Sequence, residues 1–198
     1  AEIQRDVPLE DPDAVLHPPE PDSKRLFELF RELGFTSLMK LIPGESAPEA
    51  KPAGCRTVLD MDTLGDALAG VKDALAFDTE TTGRDAMRDA LVGFSLFTGE
   101  GTADYVPLAH RYIGAPQQID PAQAMDAIRP VMADESVAKV GHNLKFDMLM
   151  LRREGVEVRG PLYDTMLASY LLSPHKAAHS LEAASLEHLG RRKTPFKE

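Results

Sequence analysis

Apolar side chains change their spacing near residue 55. Before it, Leu26, Phe27, Leu29, Phe30 and Leu33 recur at helical intervals, with Ser23 placed to cap and Gly34 to stop a short helix. Phe35 to Ile42 adds another turn. Beyond residue 55, short apolar strands alternate with amphipathic helices. Arg56 to Asp60 predicts a strand, and Asp62 caps a helix ending at Gly70. Ala74-Leu-Ala-Phe77 is an apolar run leading into Asp78. Leu91 to Thr98 and Asp104 to Leu108 predict two strands joined by Gly99-Glu100-Gly101, hence an antiparallel hairpin. Asp120-Pro121 is a capping acid followed by proline at the first helical position. Ala138 to Gly141 predicts a further strand. Leu144, Met148, Leu149 and Leu151 then repeat at helical spacing over residues 144–155. Leu162-Tyr163 is too short to assign, whereas Thr165 to Leu172 and Ser180 to Leu189 predict helices, the second capped by Ser180 and stopped by Gly190. There is no internal repeat. Buried strands alternating with amphipathic helices predict an α/β fold, a mixed sheet with flanking helices.

Composition divides the chain further. Of its 15 prolines, Pro8, Pro12, Pro18, Pro19, Pro21, Pro43, Pro48 and Pro52 lie in the first 52 residues. Residues 1–22 read as an extended arm, because proline denies both helix and ladder hydrogen bonds. Residues 43–54 are a linker by composition. The expected organisation is therefore an arm and short helical appendage over 1–42, a tether over 43–54 and a domain over 55–198. The formal charge is −10, of which residues 1–50 carry −6, with 11 acids against 5 bases. That balance argues against a protein that coats duplex nucleic acid, since phosphate neutralisation needs a basic face. It leaves room for local binding at a metal-loaded site. No apolar run approaches the ~18–20 residues that span a bilayer, and Ala1 to Glu10 lacks the basic start and apolar core of a signal peptide. With the single Cys55, the expectation is a reducing cytoplasm and no membrane partner.

The strongest chemical signal is Phe77-Asp78-Thr79-Glu80-Thr81. Strand side chains alternate, so Asp78 and Glu80 project from one side. Two carboxylates together at the end of an apolar strand call for a cation, and hard oxygen donors without a nearby cysteine point to Mg²⁺ or Mn²⁺. The same pair is also what an ordinary solvated strand end displays. A second signal is Val140-Gly-His-Asn143-Leu-Lys-Phe-Asp147. Here Asn143 is placed to cap a helix and Asp147 lies one turn on, where the helix dipole alone also favours an acid. His142 reads as a surface or capping residue rather than a ligand. Arg152, Arg153 and Arg159 read as a solvated helix face. The terminal Arg191, Arg192, Lys193 and Lys197 read as a solvated end or a contact to a nucleic-acid backbone.

Taken together, Asp-Thr-Glu-Thr and Asn-Leu-Lys-Phe-Asp resemble the first two motifs of the DEDD exonuclease superfamily. The likeness is to the proofreading domain of family A DNA polymerases of bacteria. It continues through Leu91-Val-Gly-Phe-Ser, Tyr105-Val-Pro-Leu-Ala-His110 and Tyr163-Asp-Thr-Met-Leu in the same order, and residues 1–42 resemble the tail of the 5′-nuclease domain that precedes it. The resemblance implies a ribonuclease H-like fold and a 3′-5′ exonuclease. In it Asp78, Glu80 and Asp147 serve two divalent ions, Mg²⁺ or Mn²⁺, and act as the catalytic carboxylates. It places Thr79, Thr81, Asn143 and Phe146 along the substrate. Asp164 resembles a recurrent acid of this fold, and its place before Thr165 at a helix start reads as a capping or site-supporting role ahead of direct ligation. The substrate implied is a single-stranded or frayed 3′ end of DNA, and the implied neighbours in a longer protein are a polymerase domain and the 5′-nuclease domain. Two cations ~3.5–4 Å apart activate water and stabilise the leaving oxygen in this chemistry.

The chain departs from the family in two places. The third motif, a Tyr followed four residues later by Asp, is missing: Tyr170 is followed by Pro174 and Tyr163 by Leu167. The expectation is negligible exonuclease activity for these residues alone. An apolar residue that wedges between terminal bases in relatives is met here by Gly83-Arg84, so either Met87 is the wedge or the strand-separating detail differs. Competing readings are a non-catalytic structural domain of a polymerase and a ribonuclease D-like RNA 3′ exonuclease.

Overall fold

The computed structural model describes residues 20–39, 41–42, 54–99 and 101–191. The chain divides into two compact units, 1–48 and 49–198, and the division falls inside the proline-rich stretch. In the first unit, α1 (Ser23–Glu32) is capped by Asp22, whose carboxylate accepts from the Arg25 N–H, so the cap lies one residue before the expected Ser23. Gly34 follows with φ +71° and ends the helix. A single further turn, α2 (Thr36–Met39), comes next. The arm over 1–19, most of the linker and the cationic residues 192–198 lie outside the described residues.

The second unit is a six-stranded mixed sheet in the order β1-β4-β3-β2-β5-β6. Its strands are β1 (Cys55–Thr57), β2 (Ala74–Thr81), β3 (Leu91–Phe97), β4 (Ala103–Pro107), β5 (Ala138–Gly141) and β6 (Leu162–Asp164). The hairpin β3–β4 is antiparallel as expected, and Gly99 and Gly101 both adopt positive φ in its turn. β1 is shorter than expected. It pairs in parallel with β4, and Arg56 donates to the buried Asp104 directly opposite at 2.6 Å. The unassigned pair Leu162-Tyr163 becomes β6, the edge strand beside β5.

Helices α3 (Met61–Ala69), α4 (Pro121–Ala133) and α5 (Leu144–Arg153) bring Leu64, Ile128, Met132 and Leu151 into one core with Leu75, Phe77, Phe94 and Leu96 of the sheet. Each fully buried side chain of this size contributes roughly 1.5–3 kcal/mol. α3 is capped two residues earlier than expected: Asp60, rather than Asp62, accepts from the Thr63 N–H at 2.8 Å. Asp120 caps α4 with Pro121 behind it, as expected. α6 (Thr165–Leu172) and α7 (Leu181–Leu189) follow β6, the latter capped by Ser180 and ended at Gly190 with φ +67°. Among the described residues no helix is long and apolar enough to cross a membrane.

Candidate active site

Period-two alternation along β2 decides where each motif residue goes. Leu75, Phe77 and Thr79 are buried, whereas Asp78 and Glu80 are exposed on the opposite face. The β2–β5 ladder stops at Ala76↔Val140, since β5 ends at Gly141 and the chain turns into α5. Beyond that point Thr79 needs another partner on this edge. Asp147 supplies it: the Thr79 N–H and Oγ1–H both donate to Asp147 Oδ1, at 2.9 and 2.6 Å. Burial pushes the Asp147 carboxyl above its usual range; the two Thr79 bonds oppose this, and the nearby Asp78 charge adds to it. Asp147 is thus held by the threonine between the two exposed acids, within reach of the Asp78 charge.

The start of α5 is set from a distance. Asn143 does occupy the cap position, but it sits in the left-handed region with φ +65° and makes no side-chain cap bond, contrary to the expectation. Asp164, at the end of β6, does that work. Its carboxylate accepts from the Asn143 and Leu144 N–H groups at 3.0 and 2.9 Å, and also from Met166 and Leu167 at the start of α6, at 2.8 and 3.3 Å. One acid therefore caps two helices, one of which carries Asp147. Burial alone would raise the Asp164 carboxyl, but these four bonds outweigh it and hold it below the usual range. His142 lies beside this junction, its Nδ1 2.9 Å from Thr165 Oγ1.

Of the other expected residues, Thr81 is half-buried and donates its hydroxyl to the Gly83 carbonyl at 2.6 Å. Phe146 is partly buried and packs against the core. Arg84 is exposed, and Met87 in the next turn is 66% exposed. Arg153 is more than a solvated cation: its guanidinium donates to the Ala86 and Asp89 carbonyls at 2.8 and 2.7 Å and pins that turn to α5. Arg159 pairs with Glu157 at 2.8 Å and Glu135 at 3.8 Å. The tyrosine-histidine pair Tyr105–His110 received no role from the sequence, yet it lies on the Asp78/Glu80 face. Lys139 is likewise unsignalled: its ammonium is fully buried, donating to the Asp134 and Val137 carbonyls.

The donor chemistry suits a hard divalent cation, since every candidate ligand is a carboxylate and Cys55 is exposed on β1. The charge of Asp78 reaches Asp147, and Glu80 stands two residues along β2 on the Asp78 face. Among the described residues no group of three or more His, Cys, Asp or Glu side chains stands close enough to hold an ion.

Comparison with known proteins gives a consistent picture. The model of a 3′-5′ exonuclease family of DNA polymerase A matches residues 55–194. A DNA polymerase I of Pseudomonas aeruginosa is 35% identical over 216 residues, taking in 100% of this chain and 23% of its own length. A DNA polymerase I of Rhizobium leguminosarum is 40% identical over 161 residues, 72% of this chain and 16% of its own length. The chain spans less than a quarter of either relative. Among solved structures, NrnC of Brucella melitensis with bound Mg²⁺ is 26% identical with a TM-score of 0.54, covering 72% of this chain and 65% of that one.

Proposed function

This chain belongs to the 3′-5′ exonuclease family of DNA polymerase A proteins, and from that premise we propose that it hydrolyses the 3′-terminal phosphodiester of single-stranded or frayed DNA. We take it to work as the proofreading part of a longer polymerase I-type protein. The observation that carries this reading is the β2–α5 junction, where Thr79 holds Asp147 within reach of the Asp78 charge. Asp78, Glu80 and Asp147 would hold the divalent ions, Mg²⁺ or Mn²⁺, a choice supported by the Mg²⁺ bound in the Brucella relative. Such ions supply a lowered pKa for bound water and charge to meet the leaving oxygen. The chain's own residues orient these acids. Thr79 fixes the Asp147 oxygen, Asp164 fixes the helix that bears it, and Arg153 fixes the Ala86–Asp89 turn beside the site, from which Met87 projects.

Identity over the full length of the chain to a DNA polymerase I favours DNA over the RNA substrate of a ribonuclease D-type reading. The test is stepwise shortening of 5′-labelled single-stranded DNA in Mg²⁺, by a chain continued through the family's Tyr-x-x-x-Asp motif. Asp78→Ala should abolish shortening. Undiminished shortening by Asp78→Ala, or a preference for RNA 3′ ends, overturns the proposal.

A further inference from the structure

Cross-strand register places more than carboxylates on the active-site face. Asp78 pairs with Ser95, Ser95 with Tyr105 and Tyr105 with Thr57, so these four side chains share one side of the sheet. Glu80, Gly93 and Pro107 form the parallel row. Gly93 leaves a gap in that row, and the Tyr105 ring lies over it: a Cβ at residue 93 would fall 2.4 Å from the Tyr105 hydroxyl. The ring thereby leans back towards Glu80. Burial, first, and then the Glu80 charge push the Tyr105 phenol above its usual range.

Beyond Tyr105 opens a pocket of about 190 Å³, walled by Thr57, Tyr105, Pro107, His110, Tyr112 and Gln118 among others. Its back is rigid. The Tyr105 hydroxyl and His110 Nε2 are 2.5 Å apart, and Gln118 clamps His110 through its backbone, donating to the carbonyl and accepting from the N–H, both at 2.9 Å. The three rings run edge-on in sequence, Tyr105 to His110 at 5.9 Å and His110 to Tyr112 at 6.4 Å. The outer ring faces water: Tyr112 is 62% exposed, and its neighbours Arg111 and Ile113 are exposed as well. Packing of the core does not account for an aromatic, an aliphatic and a cation presented together on one loop.

We propose that this pocket is a nucleobase subsite of the exonuclease site, in which a base of the bound single strand stacks on Tyr112 while Arg111 meets its phosphate. The inference rests on the function proposed above. A stacking ring beside a backbone cation is how single strands are held without regard to sequence. Tyr105 lies two strands from Asp78, about 10 Å at the usual strand spacing. Tyr112 stands two ring contacts beyond Tyr105, so the stacked base belongs to a nucleotide upstream of the one whose phosphate meets the carboxylates.

The experiment measures binding of a 5′-fluorescein tetrathymidylate to the 198-residue chain by anisotropy, with Ca²⁺ as the divalent ion. Tyr112→Ala should weaken binding at least about fivefold, the change that ~1 kcal/mol of lost stacking produces. Tyr112→Phe should retain wild-type binding, because stacking needs the ring and not the hydroxyl. Asp78→Ala should remove the Ca²⁺ dependence. Ca²⁺-dependent binding that Tyr112→Ala leaves within twofold overturns the subsite and spares the carboxylate site. Binding that ignores both Ca²⁺ and Asp78→Ala overturns the functional reading itself. A wild-type chain that does not bind the oligonucleotide at millimolar concentration overturns the subsite.

Discussion

Replacing Asp164 tests whether one acid holds both helices that flank the site. The carboxylate accepts four backbone N–H groups, three at Oδ1 from Asn143, Met166 and Leu167 and one at Oδ2 from Leu144. Loss of a helix N-cap costs about 0.5–2 kcal/mol. Asp164→Ala uncaps α5 and α6 together, so about 1–4 kcal/mol should be lost. Asp164→Asn should fall between, since it keeps the Oδ1 acceptor but turns an amide N–H towards the Leu144 N–H. Urea unfolding of the 198-residue chain, followed by far-UV circular dichroism at pH 7, reads both differences. The native carboxyl titrates below the unfolded one, so its contribution is fully present above about pH 3.9 and disappears as pH falls through the lowered native value. The gap between parent and Asp164→Ala should therefore narrow on acidification from pH 6 towards pH 3. A loss under about 0.5 kcal/mol at pH 7, the low end for a single cap, would refute the double-cap account. So would a gap that does not change with pH.

Two further substitutions probe the sheet face and the buried acid. Gly93→Ala forces a Cβ to 2.4 Å from the Tyr105 hydroxyl and 2.9 Å from the Val106 carbonyl; because the carbonyl belongs to the paired strand, unfolding midpoints should show a loss of about 1–3 kcal/mol. Asp147→Asn keeps an oxygen for the two Thr79 donors and removes a buried charge. The native Asp147 carboxyl lies above its unfolded value, so the parent gains stability as pH falls through that raised value and has gained it fully below about pH 3.9. Asp147→Asn should accordingly be the more stable protein at pH 7, by on the order of 1 kcal/mol. Paired urea titrations at pH 7 and pH 4 should show the advantage shrinking, and an advantage that grows in acid contradicts the burial argument.

Features encoded within a few residues were legible in the sequence. The β3–β4 turn carries its two glycines where positive φ is needed, and Asp120-Pro121 writes the start of α4 locally. Caps were off by one or two positions where two polar residues compete, as with Asp22 and Ser23 or Asp60 and Asp62. There the extended backbone at the earlier residue decides, and spacing alone does not reveal it. What depends on distant contacts was hidden. Asp164 caps a helix that begins 20 residues earlier, β6 exists only because β5 offers an edge, and Lys139 is buried because carbonyls of the preceding turn meet its ammonium. An Ala-Lys-Val-Gly strand gives no hint of that last arrangement.

The acids of the first motif are legible as a pair, but their mechanism depends on the residue between them. Alternation that sends Asp78 and Glu80 outward necessarily sends Thr79 inward, onto the face that α5 covers. A threonine there presents two donors, backbone and side chain, on one edge of β2, and both reach a single Asp147 oxygen. An alanine or valine at residue 79 keeps the strand and the outward acids yet leaves Asp147 buried without its hydroxyl donor. The Asp-Thr-Glu triplet is thus one device in which the central hydroxyl ties a second element to the strand, so that a buried carboxylate comes within reach of an exposed one's charge. On the proposed function, the exposed acids would repel an anionic strand until a cation intervenes. Bound cations would then supply the positive charge that meets the phosphate, which is how a chain of net charge −10 would serve a nucleic acid without a broad basic face.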